Sequence, residues 1–374
     1  MTSNAIPETP DSVTDDWLTQ ALRQDGAIVE AHVTGHTTAL VEQQGAAAVV
    51  ARFGLSYDPD EPAAPRSLVG KFAAPHEPIR LLMHEFGGYA REVEFYQQLG
   101  GDAGIPTPHC YYASIDPGSG VFALLLEDMS NSRMSDMINP SIEDIEVAVR
   151  HLAPFHAKWW NHPRLRTLKN LRYPGSPANE AFLRRGWGAL AAALPTAKER
   201  FGDLLPDSLV ALTEDVLSRF DEVLERAQRD EGRTTLVHGD YHPQQIFFES
   251  ERGGRFAVFD WQTVSAGSGG NDLARIIVLG LDTAQREASD KRLIELYYSL
   301  LLEHGVKGYS FQDCYDDFRR GLLASLVVNI IAAANVDPAL IEAAQAAAAD
   351  SGVEPEDRLT PAIEAHNAQE VWLT

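Results

Sequence analysis

Cysteine is nearly absent: only Cys110 and Cys314 occur in 374 residues, far apart and without metal-ligand spacing. A disulfide framework and a cysteine metal site are excluded, and a reduced cytoplasm is the expected setting. Basic residues are also scarce. Lys and Arg total 31 against 54 Asp and Glu, a formal charge of −23. A chain this acidic lacks the basic face that nucleic acid or an anionic membrane requires, so neither is expected as a partner. No apolar run approaches the ~20 residues that cross a bilayer. The start, "MTSNAIPETPDSVTDDWLTQAL", has no basic region followed by an apolar core, so no signal peptide is expected. No internal repeat is visible.

What remains is ample for a folded enzyme. Hydrophobic residues make up 44% of the chain, enough for a large core and for two lobes. Residues 11–24 read as a helix with Trp17, Leu18 and Leu22 on one side. "AIVEAHVTG", "AAAVVARFGLSY" and "RSLVGKFAA" read as an antiparallel meander. "MHEFGGYAREVEFYQQLG" reads as one long helix with Phe86, Tyr89, Val93 and Tyr96 as its stripe. "IPTPHCYYASID" and "SGVFALLLEDM" add two strands. After about Ser130 helices dominate, among them "SIEDIEVAVRHLAPFHAKWW", "PDSLVALTEDVLSRFDEVLERAQRD" and the segments after Asp272. "EAAQAAAADSG" reads as a surface helix. One β island interrupts them, "TTLVHGD…QQIFFES…RFAVFDWQTV". The fold class expected is α+β, with a small β-rich lobe over 1–127 and a larger helical lobe over 128–374.

The island carries the chemistry. "TTLVHGD" and "FAVFDW" are apolar strands that each end in a carboxylate, Asp240 and Asp260. One such carboxylate can take a hydroxyl proton while the other ligates Mg²⁺. Gln245 lies between them and offers an amide oxygen, a hard donor suited to the same ion.

These motifs resemble the aminoglycoside phosphotransferase and choline kinase superfamily, within the protein-kinase-like fold, and most closely the ecdysteroid-kinase-like small-molecule kinases. "HGDYHPQQ" is similar to that superfamily's H-G-D-x-H-x-x-N loop, "FDWQ" to its metal strand, and "LAPFHAKWW" and "NDLARII" to two of its helices. Glutamine at position 245 departs from the usual asparagine, but maltokinase-type relatives resemble this chain there. The resemblance implies a kinase that uses ATP, or another NTP, with Mg²⁺ to phosphorylate a small-molecule hydroxyl. The alternative is an inactive kinase-fold module that binds a nucleotide or metabolite.

By the same resemblance, Asp240 orients the hydroxyl or acts as base, and Gln245 and Asp260 hold Mg²⁺. Lys71, in "SLVGKFAA", steadies the phosphates, braced by Glu92 in "AREVEFYQQL". The hinge for adenine falls at "LLLEDMS", near Glu127 and Met129. The phosphate loop has a single glycine, so Gly35, Thr37 and Thr38 are its candidates, with an ordinary polar hairpin as the alternative. His238 reads as structural. His242 orients Asp240 or lines the substrate pocket. Trp187 and Trp261 are candidates for that pocket, whereas Trp159 and Trp160 read as core. Asp272 reads as a helix cap before a loop-backbone ligand. The cluster Arg164, Arg166, Lys169 and Arg172 reads as a solvated face, with an anionic partner as the alternative.

Overall fold

The computed structural model describes residues 5–41, 47–135, 141–201, 205–229 and 232–335. The alanine-rich segment "EAAQAAAADSG" lies outside them. The chain divides into two compact units. One is built from the chain up to Arg133 together with Phe247–Gln262. The other comprises, among the described residues, Met134–Ile246 and the chain from Thr263 to Asn335.

The first unit opens on α1 (Asp15–Asp25), whose Thr14 side chain accepts the Trp17 amide and whose end is turned by Gly26 at φ 91°. There follow β1 (His32–Leu40), β2 (Ala48–Asp58), β3 (Ser67–Ala73), α2 (Glu77–Glu85), α3 (Gly88–Gln98), β4 (Cys110–Ile115) and β5 (Phe122–Glu127). The five strands form one antiparallel sheet in the order β1-β2-β3-β5-β4. Trp17, Leu18 and Leu22 of α1 share a core with Phe53, Leu68, Phe72 and Leu125 of the sheet. The single helix expected over "MHEFGGYAREVEFYQQLG" is two. Gly87, at φ 66°, breaks it and serves as the N-cap of α3. That left-handed turn is open to glycine at little cost, and it sets the direction of α3 independently of α2.

The second unit contains α4 (Ile142–Trp159), α5 (Pro177–Phe201), α6 (Asp207–Ser218), α7 (Phe220–Ala227), β6 (Thr235–Val237), β7 (Ser265–Gly267), α8 (Gly270–Gly280), α9 (Thr283–Glu303) and α10 (Phe311–Asn335). The expected helix over residues 206–230 is split at Arg219. Strands β6 and β7 pair antiparallel, Leu236 opposite Ala266. Helices α8 and α10 cross without a side chain between them. A Cβ at Gly321 would lie 2.2 Å from the Gly270 carbonyl oxygen, and one at Gly270 would lie 2.4 Å from the Asp317 backbone. Among the described residues no helix is long and apolar enough to cross a membrane.

Candidate active site

In the first unit, Lys71 sits on β3 with its ammonium drawn inward and only 9% of the residue exposed. Its Nζ donates to both oxygens of Glu92 on α3, at 2.9 and 2.7 Å, and to Asp260 Oδ1 at 2.7 Å. Burial alone would drive the ammonium towards neutrality. Asp260 and Glu92 outweigh it and push its pKa up, so Lys71 stays charged. Glu92 is wholly buried, which pushes its carboxyl upward, and the attraction of Lys71 only partly offsets that.

Asp260 is delivered by an anchored segment. The Val258 amide bonds the Pro106 carbonyl, and Phe259 stacks on Phe247. Asp260 itself takes φ 64°, a left-handed backbone that aspartate tolerates better than most residues. Its second oxygen accepts Gln262 Nε2 at 3.3 Å.

In the second unit, β6 runs into the turn His238–Gly239–Asp240. Gly239 has φ 84°, and a Cβ there would lie 2.6 Å from the Thr263 carbonyl oxygen, so only glycine fits. The turn is held by one buried carboxylate. Asp272 of α8 accepts the His238 amide at 2.7 Å on Oδ2 and the Gly239 amide at 2.9 Å on Oδ1. His156 of α4 lies 3.3 Å from the same Oδ2 by its Nε2, and its Nδ1 lies 2.7 Å from the Tyr297 hydroxyl on α9. Asp272 therefore ligates loop backbone rather than capping its helix. His238 is fully buried, accepts the Asp240 amide on Nδ1, and is structural as expected.

Asp240 is clamped from two sides. Arg275 Nε of α8 donates to Oδ1 at 2.5 Å, and His242 Nε2 stands 3.5 Å from Oδ2. Burial would raise the Asp240 pKa, but Arg275, His242 and His238 overcome it and hold the carboxyl well below its ordinary range. His242 also accepts the Gln244 amide on Nδ1 at 3.3 Å, so its ring is fixed beside Asp240. Gln245 closes a short 3-10 turn, its amide bonded to the His242 carbonyl at 2.9 Å. Among the described residues no group of three or more His, Cys, Asp or Glu gathers as a metal cage. Asp260 in the first unit offers a carboxylate oxygen and Gln245 in the second an amide oxygen, both donor types suited to a hard cation.

Residues 43–307 match the model of the ecdysteroid kinase-like family. The chain belongs to that family. An uncharacterized kinase-like protein of Caenorhabditis elegans is 26% identical over 249 residues, 62% of this chain and 61% of the relative. The chain thus spans about three fifths of the length of that curated relative. Among solved structures, a putative aminoglycoside phosphotransferase from Ralstonia eutropha superposes with a TM-score of 0.50 at 15% identity, covering 93% of this chain and 97% of that one. An amicoumacin kinase solved with AMP-PNP and Ca²⁺ gives 0.48 at 12% identity, covering 87% of each chain. The five-stranded antiparallel sheet of the first unit and the helices of the second are those of the protein-kinase-like fold.

Three expectations for this ecdysteroid kinase-like protein are corrected. Gly35, Thr37 and Thr38 are not in a turn. They lie inside β1, registered opposite Ser56, Gly54 and Phe53 of β2, because the strand runs on to Leu40. Trp261 does not line a pocket. It is fully buried in the first unit, stacked 3.8 Å from Phe95, with Nε1 donating to the Val258 carbonyl. Arg172 is no part of a solvated face; it is 7% exposed. Trp187 lies on α5 against Phe220 of α7 at 5.0 Å, a helix-packing contact. Its Nε1 is buried without a partner among the described residues. Glu127 ends β5, and its carboxylate binds Arg255 and the His109 amide. Met129 is buried just beyond, its carbonyl accepting the Ser132 amide.

Arg275, which clamps Asp240, is the candidate-site residue that the sequence reading missed. A signal existed: it is a lone charge within the apolar run "LARIIVLG" of α8.

Proposed function

We propose that the protein is an ATP-dependent kinase that transfers the γ-phosphoryl group to a hydroxyl of a small molecule. The observation that carries this reading is the buried Lys71, whose ammonium meets Glu92, 21 residues later, and Asp260 together. A cation held by two carboxylates is fixed in place and remains charged, which is what steadying phosphate oxygens requires. Asp260 and Gln245 are the oxygen donors assigned to Mg²⁺. When bound, Mg²⁺ neutralises charge on the nucleotide phosphates. The main chain at Glu127–Met129 is assigned to the base.

Asp240 acts on the acceptor. Held so far below the usual carboxylate range, it is a weak base and works mainly by orienting the hydroxyl. The acceptor oxygen forms its bond to the γ-phosphorus as the bridging bond to the β-phosphate breaks, and ADP leaves. The hydroxyl proton passes to Asp240 late in the transfer. Arg275 and His242 keep the carboxylate aimed throughout. The protein is assigned to the cytoplasm, without nucleic acid or membrane partners.

Incubation with Mg·ATP and a library of hydroxyl metabolites and antibiotics, read by mass spectrometry, tests the reading. A phosphorylated product supports it. Calorimetric binding of Mg·ATP with no transfer to any compound would leave an inactive kinase-fold module instead. Gln245→Ala is expected to raise the Mg²⁺ concentration for half-maximal transfer by at least roughly tenfold, since even an outer-shell metal partner is worth that much. An unchanged Mg²⁺ requirement would remove Gln245 from the metal site.

The charge state of Asp240 also has a stability consequence. A carboxyl with a depressed folded pKa stabilises the fold above its ordinary value of 3.8, and that contribution fades as pH falls further. The stability difference between wild type and Asp240→Asn, measured by urea denaturation, is therefore expected to stay level from pH 7 to about pH 5 and to shrink below about pH 4.

A further inference from the structure

Arg172 is a buried cation without a counter-charge among the described residues. Its guanidinium carbon lies 3.9 Å from the ring centroid of Phe182 on α5, and Nη2 reaches the Thr263 carbonyl at 3.4 Å, a long contact. Nε is buried with no partner among the described residues. Among the described residues no acidic side chain offsets its burial, which draws the pKa of the group down to about 10. The other buried arginine of this region, Arg275, has Asp240. Arg233 has Asp313. In a chain with 54 acidic residues, a buried guanidinium left without one is a specific arrangement. Taking a cation out of water is costly unless an anion meets it, and a stacked ring with one long carbonyl contact returns only part of that cost.

Its position gives the omission a use. The Arg172 carbonyl accepts the Ala266 amide of β7 at 2.8 Å, which seats the residue beside that strand. The Thr263 carbonyl that Nη2 reaches is the oxygen pressed against Gly239, and the Thr263 hydroxyl donates to the His238 carbonyl at 2.9 Å. Arg172 is thus joined through one residue to the turn that carries Asp240, within the same unit. Phe182 covers one face of the guanidinium and is itself 41% exposed. A planar fork of unused N–H groups in such a place matches a carboxylate or phosphate.

We propose that Arg172 receives an oxyanion, a carboxylate or phosphate, carried by the acceptor molecule whose hydroxyl Asp240 orients, so that the enzyme's substrates are acidic hydroxyl compounds. The assignment of the anion to the acceptor rests on the kinase reading; the anion site itself does not.

The test uses inorganic phosphate on the full chain, with potassium chloride at equal ionic strength as the control. Phosphate near ten times its Kd is expected to raise the Tm of wild type and of Asp240→Asn by about 2 °C. Arg172→Met is expected to lose that rise. Saturating Mg·AMP-PNP is expected to leave the rise in place, since the nucleotide and the acceptor anion occupy different positions. No rise in wild type, or an equal rise in Arg172→Met, would overturn the site. A rise abolished by Mg·AMP-PNP would assign the arginine to nucleotide phosphates and overturn the acceptor proposal. If Arg172→Met does not fold, the Nε–H resonance of Arg172, identified with Arg172→Lys, replaces it. A shift of that resonance on phosphate titration supports the site, and its constancy overturns it. None of these readings needs turnover, so a failure of the kinase reading would show separately, as absence of transfer to every acceptor tried.

Discussion

Replacing Asp240 with asparagine is expected to lower the rate of phosphoryl transfer by roughly 10²–10⁴-fold, the range typical of a lost acid–base group. The loss should fall on kcat. Mg·ATP affinity should change little, because Lys71, Asp260 and Gln245 are left intact. The amide keeps the size of the side chain, but its two ends differ. One oxygen can still face Arg275, which approaches Oδ1 at 2.5 Å. The other end then presents an N–H to the acceptor, which is the wrong partner for a hydroxyl proton. Single-turnover assays beside calorimetric titration with Mg·ATP check both halves. Full turnover in the variant would remove Asp240 from the reaction.

Asp272→Ala is expected to act through the fold. The carboxylate is 1% exposed and is shared by the His238 amide, the Gly239 amide and His156. Each buried donor left without an acceptor costs ~1–3 kcal/mol, so the total reaches several kcal/mol. That is a large share of the 5–15 kcal/mol that holds an ordinary domain folded. Urea denaturation of wild type and variant measures it. A loss under about 1 kcal/mol would mean that water or a shifted loop replaces the carboxylate.

The residues that proved legible are those whose local pattern fixes their geometry. Lys71 stands in a short strand and Glu92 on a striped helix, and their pairing was legible through the resemblance to kinases rather than through spacing alone. Asp240 and Asp260 each end an apolar segment, which marks a turn without structural knowledge. Other positions depend on contacts that spacing does not encode. Trp261 follows Asp260, and its direction is set by the left-handed backbone at Asp260 and by the Phe95 ring. Gly35 reads as a turn residue, yet it sits at a register shift within a strand that runs five residues further.

Helix α5 carried no expectation at all. Its 25 residues are alanine-rich and contain Pro195, and few of its side chains are buried, so no strong stripe announces it. Asp272 looked like a cap because it stands near the start of a helix. Its role came from the turn folded over it, which sequence order separates by more than thirty residues.

The crossing of α8 and α10 at Gly270 and Gly321 leaves no slack between the two backbones. Asp272, two residues beyond Gly270, takes its place from that crossing, and the turn 238–240 takes its place from Asp272. The seat of the proposed catalytic carboxylate is thus inherited from a helix that emerges some eighty residues later in synthesis. A chain growing from its N-terminus therefore has its Lys71–Glu92 pair early, and gains a fixed Asp240 only when α10 has been made and has docked.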